Sequence, residues 1–181
     1  MHDTQTHWVF GYGSLIWRPD FEFVEASPAK LPGYVRRFWQ GSHDHRGVPE
    51  KPGRVVTLVP AEQEHCIGMA YLLEAAIVDA TFEQLDHREK NGYDRVVTQL
   101  QLQDGRSVHG LVYIAPVNNF AYLGEAKLHD IAHQILHSHG PSGRNIDYLM
   151  DLADALRQLN AHDEHVFELE SLANSMLKKG R

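Results

Sequence analysis

Arg95-Val96-Val97-Thr98-Gln99-Leu100-Gln101-Leu102 and Val108-His109-Gly110-Leu111-Val112-Tyr113-Ile114, with Asp104-Gly105 between them, decide the fold class. Both runs are rich in residues that suit a pleated, half-buried surface, and Asp-Gly is a strong hairpin dipeptide. They predict two antiparallel strands. Toward the N-terminus, Trp8 to Phe10, Tyr34 to Trp39, Val55 to Val59 and Cys66 to Leu73 have the same character, which gives six expected strands. Pro60-Ala61-Glu62-Gln63-Glu64 reads as a connection that favours antiparallel pairing of its neighbours. Ser42 to Gly53 holds Gly47, Pro49, Pro52 and Gly53 and reads as a long loop, and loops of that length in a compact domain are often functional.

Beyond Pro116 the period changes. Leu123 to His137, Ser142 or Gly143 to Leu159, and His165 to Lys178 repeat their apolar residues with helical spacing. The last of these puts Val166, Leu169, Leu172, Ala173 and Met176 on one face. A shorter helix is expected from Asp79 to Lys90, with Asp79 as N-cap and Asn91-Gly92 as the stop. The fold class is therefore α+β: a small curled sheet or barrel of mixed or antiparallel strands, flanked by helices, with a helical C-terminal part. No internal repeat or linker divides the chain, so residues 1–181 are read as one domain. A domain of that size buries about 70% of the surface its unfolded chain exposes and needs no staple.

A hydrophobic fraction of 43% and a charged fraction of 23% predict a chain that folds throughout. The net charge of -7 comes from dispersed acidic residues, which argues against a nucleic acid as partner, because phosphate backbones are held by clustered Lys and Arg. Arg36-Arg37 beside Phe38 and Trp39 reads as a strand with a solvated edge. Cys66 is the single cysteine and has no internal partner, which suits a reducing compartment. The polar stretch Met1 to His7 and the short apolar run before Gly11 provide neither a signal segment nor a membrane span, so the expectation is cytoplasmic.

Two places carry candidate chemistry. In Phe10-Gly11-Tyr12-Gly13-Ser14-Leu15-Ile16 two glycines flank one residue, so the backbone can come close to a ligand and turn successive N–H groups toward it. The same residues are equally those of a bulge or tight turn at a strand end. They are not a dinucleotide fingerprint, since a third glycine and a following helix are missing. Glu89 follows Leu85 by four residues and Phe82 by seven, so it shares the apolar stripe of its helix. An inward carboxylate loses water, and a place near the helix C-terminus sets it against the dipole; both raise its pKa toward what a proton shuttle needs. Alternatively Glu89 pairs with an arginine, such as Arg54 or Arg95, in a partly buried ion pair. His129, His133 and His137 recur every four residues but lie off the apolar face of Ile131, Ile135 and Leu136, which favours a solvated surface over a metal stripe. His43-Asp44-His45 is read in the same way. Ser14 lacks the strand-to-helix elbow of a serine nucleophile.

Taken in order, Phe10 to Trp17, Arg36 to Ser42, Asp44 to Gly47, Pro52 to Leu58, Arg88-Glu89-Lys90-Asn91-Gly92-Tyr93 and Gly140 to Asn145 resemble the blocks of the ChaC group of γ-glutamylcyclotransferases. The resemblance runs from about Trp8 to the last helix. It implies a small β-barrel with packed helices, and an enzyme that converts glutathione to 5-oxoproline and cysteinylglycine. Carried over by position, Gly11, Tyr12, Gly13, Ser14, Leu15 and Ile16 form the γ-glutamyl pocket, and Glu89 accepts and donates the proton. Arg36, Arg37, Arg54 and Tyr148 are further candidates for substrate contacts. No metal, nucleotide or flavin enters the scheme. Monomer or homodimer is the expected state. Two alternatives stay open: another γ-glutamyl substrate, or a binding protein that keeps the pocket without turnover.

Overall fold

The strands that form are β1 (Trp8–Gly11), β2 (Glu25–Ser42), β3 (Gly53–Leu72), β4 (Asp94–Leu102) and β5 (Ser107–Ile114). In the computed structural model, which describes residues 7–180, they close into a barrel in the order β1-β3-β2-β4-β5. Met1 to Thr6, the polar leader, and Arg181 lie outside the described residues. Every neighbour pair is antiparallel except β1 with β5, which run parallel through Trp8↔Gly110 and Val9↔Leu111. That parallel seam closes the barrel.

The hairpin of β4 and β5 turns at Asp104-Gly105 as expected, with Gln101 opposite Ser107. Pro60 to Glu64 behaves differently. The runs on either side of it belong to one strand, β3, whose partner throughout is β2. Pro32 faces His65 and Tyr34 faces Pro60, so a single residue, Gly33, stands opposite the excursion Ala61 to Glu64. A bulge of this kind leaves residues out of the ladder, bends the pair and increases its twist. The bend brings the far half of β3 to β1 and the near end of β2 to β4. Strand β2 also begins nine residues before the expected Tyr34, at Glu25. Pro28 and Pro32 mask that part in sequence, because proline removes a ladder donor and reads as a break.

Helix α1 (Val78–Arg88) follows a short 3-10 turn, and Ile77 rather than Asp79 is its N-cap. Helices α2 (Leu128–Leu136), α3 (Asn145–Gln158) and α4 (Glu164–Lys179) begin or end within a few residues of expectation, α2 excepted, which is five residues shorter at its start. Before α3, His139–Gly140 and Gly143–Arg144 form a two-stranded ribbon, β6 and β7. Phe38, Leu58, Ile131, Leu149, Leu152 and Leu169 belong to one core that joins barrel and helices. A smaller cluster around Val9, Val78, Phe82 and Leu85 seats α1 on the other flank. Each fully buried Leu or Ile there adds about 1.5–3 kcal/mol relative to exposure. His129, His133 and His137 are exposed on α2, and the rings of the last two stack at 4.2 Å.

Candidate active site

The glycine turn follows β1 directly. Four of its carbonyls are taken by the protein: Tyr12 O accepts from Arg36 Nε at 2.7 Å, Gly13 O from Ile16 N at 3.0 Å, Ser14 O from Arg18 N at 2.7 Å and Leu15 O from the Tyr71 hydroxyl at 2.7 Å. With its carbonyls committed, the turn offers a ligand its N–H groups, and the first N–H groups of the 3-10 turn Ser14–Ile16 have no partner within it. Gly13 has a negative φ of -127°, and the space around it is tight. A Cβ at this position would lie 2.9 Å from the Tyr148 hydroxyl and 3.0 Å from Val56 Cγ2.

Glu89 is the C-cap of α1 rather than part of its last turn, and its N–H donates to Leu85 O at 2.8 Å. The buried Leu85 and Phe82 one and two turns earlier turn the carboxyl inward, as their spacing predicts. After Glu89 the chain reverses through Asn91-Gly92. Gly92 has a φ of +98°, where a side chain is strained, and a Cβ would press within 2.4 Å of Asn119 Oδ1. The wholly buried Gln40 holds this reversal by donating to Asn91 O at 3.2 Å and to Asn119 Oδ1 at 3.0 Å, and Asn91 Nδ2 in turn donates to Asp44.

Turn and acid meet in one cavity of about 140 Å³, lined by Gly11 to Leu15, Asp44, Arg46, Arg88, Glu89 and Tyr148 among others. The Glu89 side chain is one-fifth exposed. Burial raises its pKa from the ordinary 4.5 to about 7; Arg88 opposes the rise, and Asp44 adds to it. Arg88 is the link between the two parts: Nη2 donates to Ser14 Oγ at 2.7 Å, while Nε stands 3.9 Å from Glu89. Tyr12, Tyr93 and Tyr148 wall the site. Burial raises the pKa of all three, Tyr148 to about 12, so they are neutral hydroxyls near pH 7. A carboxyl that is half protonated at neutral pH, among neutral phenols and beside a turn that presents N–H groups, can take and return one proton on a bound anion.

Not every expected residue joins this arrangement. Ile16 is outside the lining, its carbonyl turned to the Tyr71 hydroxyl at 3.1 Å. Arg36 and Arg37 border a second cavity of about 620 Å³, where Arg36 pairs with Asp163 at 2.6 Å. Arg54 donates to Gln134, Phe38 O and Gly124 O, tying α2 and its approach to the barrel. It makes no pair with Glu89, and Arg95 pairs with Asp86; the arginine that does pair with Glu89, partly buried and at 3.9 Å, is its neighbour Arg88. Tyr148 does reach the cavity. Asp44, Arg46, Arg88, Asn91 and Tyr93 were not singled out by their residue types; their signal was the long loop after Ser42 and the block around Glu89.

A closed five-stranded barrel with helices on its flank is the fold of solved γ-glutamylcyclotransferases. The crystal structure of the yeast γ-glutamylcyclotransferase specific to glutathione superposes with a TM-score of 0.87 at 31% identity, over 93% of this chain and 95% of that one. The family model for ChaC-like protein matches residues 7–176, and the chain belongs to that family. Similar curated proteins include γ-glutamylcyclotransferase 2-3 of Arabidopsis thaliana, 44% identical over 95% of this chain and 90% of its own length. The human glutathione-specific γ-glutamylcyclotransferase 1 is 40% identical over 97% and 82%.

Proposed function

We propose that the protein is a γ-glutamylcyclotransferase that degrades glutathione to 5-oxoproline and cysteinylglycine. The observation that carries this reading is Glu89, a largely buried carboxyl whose pKa burial raises to about 7, in the same cavity as residues Gly11 to Leu15 of the glycine turn. Relatives named for this activity over nearly the whole chain support it.

The γ-glutamyl unit carries its own nucleophile. Its α-amine closes on its γ-carbonyl to form a five-membered lactam, so no second substrate enters. Holding the folded conformer is a large part of the catalysis, since well-oriented intramolecular reactions reach effective molarities of about 10⁵–10⁸ M. Ionised Glu89 takes a proton from the α-ammonium, the freed nitrogen attacks the γ-carbon, and negative charge grows on the carbonyl oxygen. N–H groups between Gly11 and Leu15 stabilise that oxygen or hold the α-carboxylate. The bond to the cysteinyl nitrogen then breaks as Glu89 returns its proton to the leaving amine. The ring nitrogen still carries a second proton after the attack; the regenerated Glu89 carboxylate takes it and passes it to the departed amine, which ends as the ammonium, so protons and charge balance with one carboxyl.

The chain acts as one unit. Among the described residues no helix is long and apolar enough to cross a membrane, and the buried lone Cys66 suits reducing surroundings such as the cytoplasm. The test is incubation of purified protein with glutathione, with and without chelator, and mass spectrometry for 5-oxoproline. Formation in both arms is expected. Its absence overturns the assignment, and loss with chelator alone overturns the cofactor-free scheme.

A further inference from the structure

Three arginines, Arg36, Arg46 and Arg54, are buried, and they are satisfied very differently. Arg36 donates to Tyr12 O, Ile67 O and Asp163. Arg54 has Gln134, Phe38 O and Gly124 O. Arg46, only 7% exposed, donates from Nη1 to Arg144 O at 3.2 Å, one acceptor for five N–H donors. Among the described residues no carboxylate stands within ion-pair distance of it, although Asp147 and Asp151 act on it from farther away and Arg18 opposes. Its guanidinium lies over the Tyr148 ring, 5.6 Å from the centroid, and lines the cavity. A buried charge without an ionic partner is costly, and a guanidinium fork matches a carboxylate in shape and charge.

Arg46 is also held in place. Its own N–H donates to Ser42 Oγ at 2.9 Å, and the loop that carries it is clamped to the β6–β7 ribbon by Ser142 N donating to His45 O at 2.9 Å. Gly140 packs so closely there that a Cβ would sit 2.3 Å from His45 O. The position is therefore preorganised, which spares the entropy of ordering a long side chain on binding.

Arg46 and the acid stand on different walls of the cavity. Arg46 donates to Arg144 O and lies over the Tyr148 ring, on the side of β7 and α3, whereas Glu89 caps α1 with Arg88 at 3.9 Å. The α-carboxylate of a γ-glutamyl group shares a carbon with the amine that Glu89 must reach, and it belongs near Glu89 and Arg88. The glycyl carboxylate lies beyond the scissile bond. Resting on the function proposed above, we propose that Arg46 receives the glycyl carboxylate of glutathione and makes the site select γ-glutamyl peptides that end in a free carboxylate.

The experiment compares glutathione with its glycyl monoethyl ester as substrates for the wild type, Arg46→Gln and Arg46→Lys. For the wild type, esterification should lower kcat/KM about 10- to 100-fold, mainly through KM, as expected for losing a charge-assisted hydrogen bond. Arg46→Gln should lose a similar factor on glutathione and no longer distinguish the ester; Arg46→Lys should keep part of the preference. An ester as good as glutathione for the wild type overturns the assignment, even if Arg46→Gln does not fold. So does a folded Arg46→Gln that loses equally on both substrates, the result expected of a structural arginine or of one on the α-carboxylate. If the wild type yields no 5-oxoproline from either compound, the underlying activity fails instead.

Discussion

Two cavities among the described residues share a wall, and the proposed chemistry belongs to the smaller one. Arg36 lines the larger, donating to Asp163 there and to Tyr12 O, a carbonyl of the glycine turn behind it. In the larger cavity the reactive side chains are spent. Burial pushes the Cys66 thiol up to about 11, and the half-buried His165, lowered to about 4 by loss of water, accepts from Phe38 N at 3.0 Å. In the smaller, Glu89 is largely buried but meets its nearest cation only at 3.9 Å, and burial raises its pKa to about 7. Volume alone points to the wrong cavity. What separates them is whether burial leaves a titratable group with capacity to exchange a proton near neutral pH.

The largest effect that sharpens this contrast is Glu89→Gln, which should fold normally and lower kcat about 10²–10⁴-fold while leaving KM nearly unchanged, as removal of a general acid/base does. His165→Gln and Cys66→Ser, across the wall, should keep kcat within about twofold of wild type once their folded fraction is allowed for. Steady-state 5-oxoproline formation with circular dichroism checks both. A catalytic loss in Cys66→Ser that rivals Glu89→Gln would erase the distinction between the cavities.

Next in size is a stability effect. Because the folded pKa of Glu89 is raised, the native protein holds a proton between pH 4.5 and about 7 that the unfolded chain has released. Stability therefore falls as pH rises through that window, with a full cost of up to about 3 kcal/mol above it. Gln has no proton to lose. Glu89→Gln should unfold close to wild type at pH 4.5 and be the more stable protein at pH 8, as chemical denaturation at both pH values would reveal. Cys66 predicts no such difference below pH 9, since the thiol is neutral in both states there.

Gly13→Ala should act through crowding. The added methyl meets the Tyr148 hydroxyl and Val56 at 2.9 and 3.0 Å, so that phenol must move within the cavity, and KM should rise about tenfold. An unchanged KM in a variant with wild-type stability would show that the turn has slack the packing does not suggest.

Much of this was legible in the residues. The β4–β5 hairpin could be read because Asp104-Gly105 encodes its turn locally, and Glu89 because its spacing from Phe82 and Leu85 fixes its direction. The β2–β3 pairing could not, since Pro28, Pro32 and Pro60 are punctuation in one dimension and bulge or strand residues only when a partner strand is supplied. The role of Arg36 was hidden for a related reason. An arginine reads as a ligand contact or a surface charge, and only the fold reveals that its donors end on Tyr12 O of the glycine turn, Ile67 O and Asp163. Asp44 lay in a segment read as a long loop, but nothing in its neighbours told that it would close on Asn91.

The smallest predicted effect tests how finely the acid is set. Arg88 and Asp44 act on Glu89 in opposite senses, the cation lowering its pKa and the carboxylate raising it. Removing Arg88 should therefore move the acid limb of kcat/KM to higher pH, and Asp44→Asn should move it lower, each by up to about one pH unit for partly screened neighbours. The position of the limb is the informative quantity, because Arg88→Gln also releases Ser14 Oγ and Asp44→Asn loosens Asn91, and both losses lower the plateau. Positioning damage alone lowers activity equally at every pH. A limb that stays in place in both variants would mean that another group governs the proton step, whereas opposite shifts tie it to the carboxyl between these two charges.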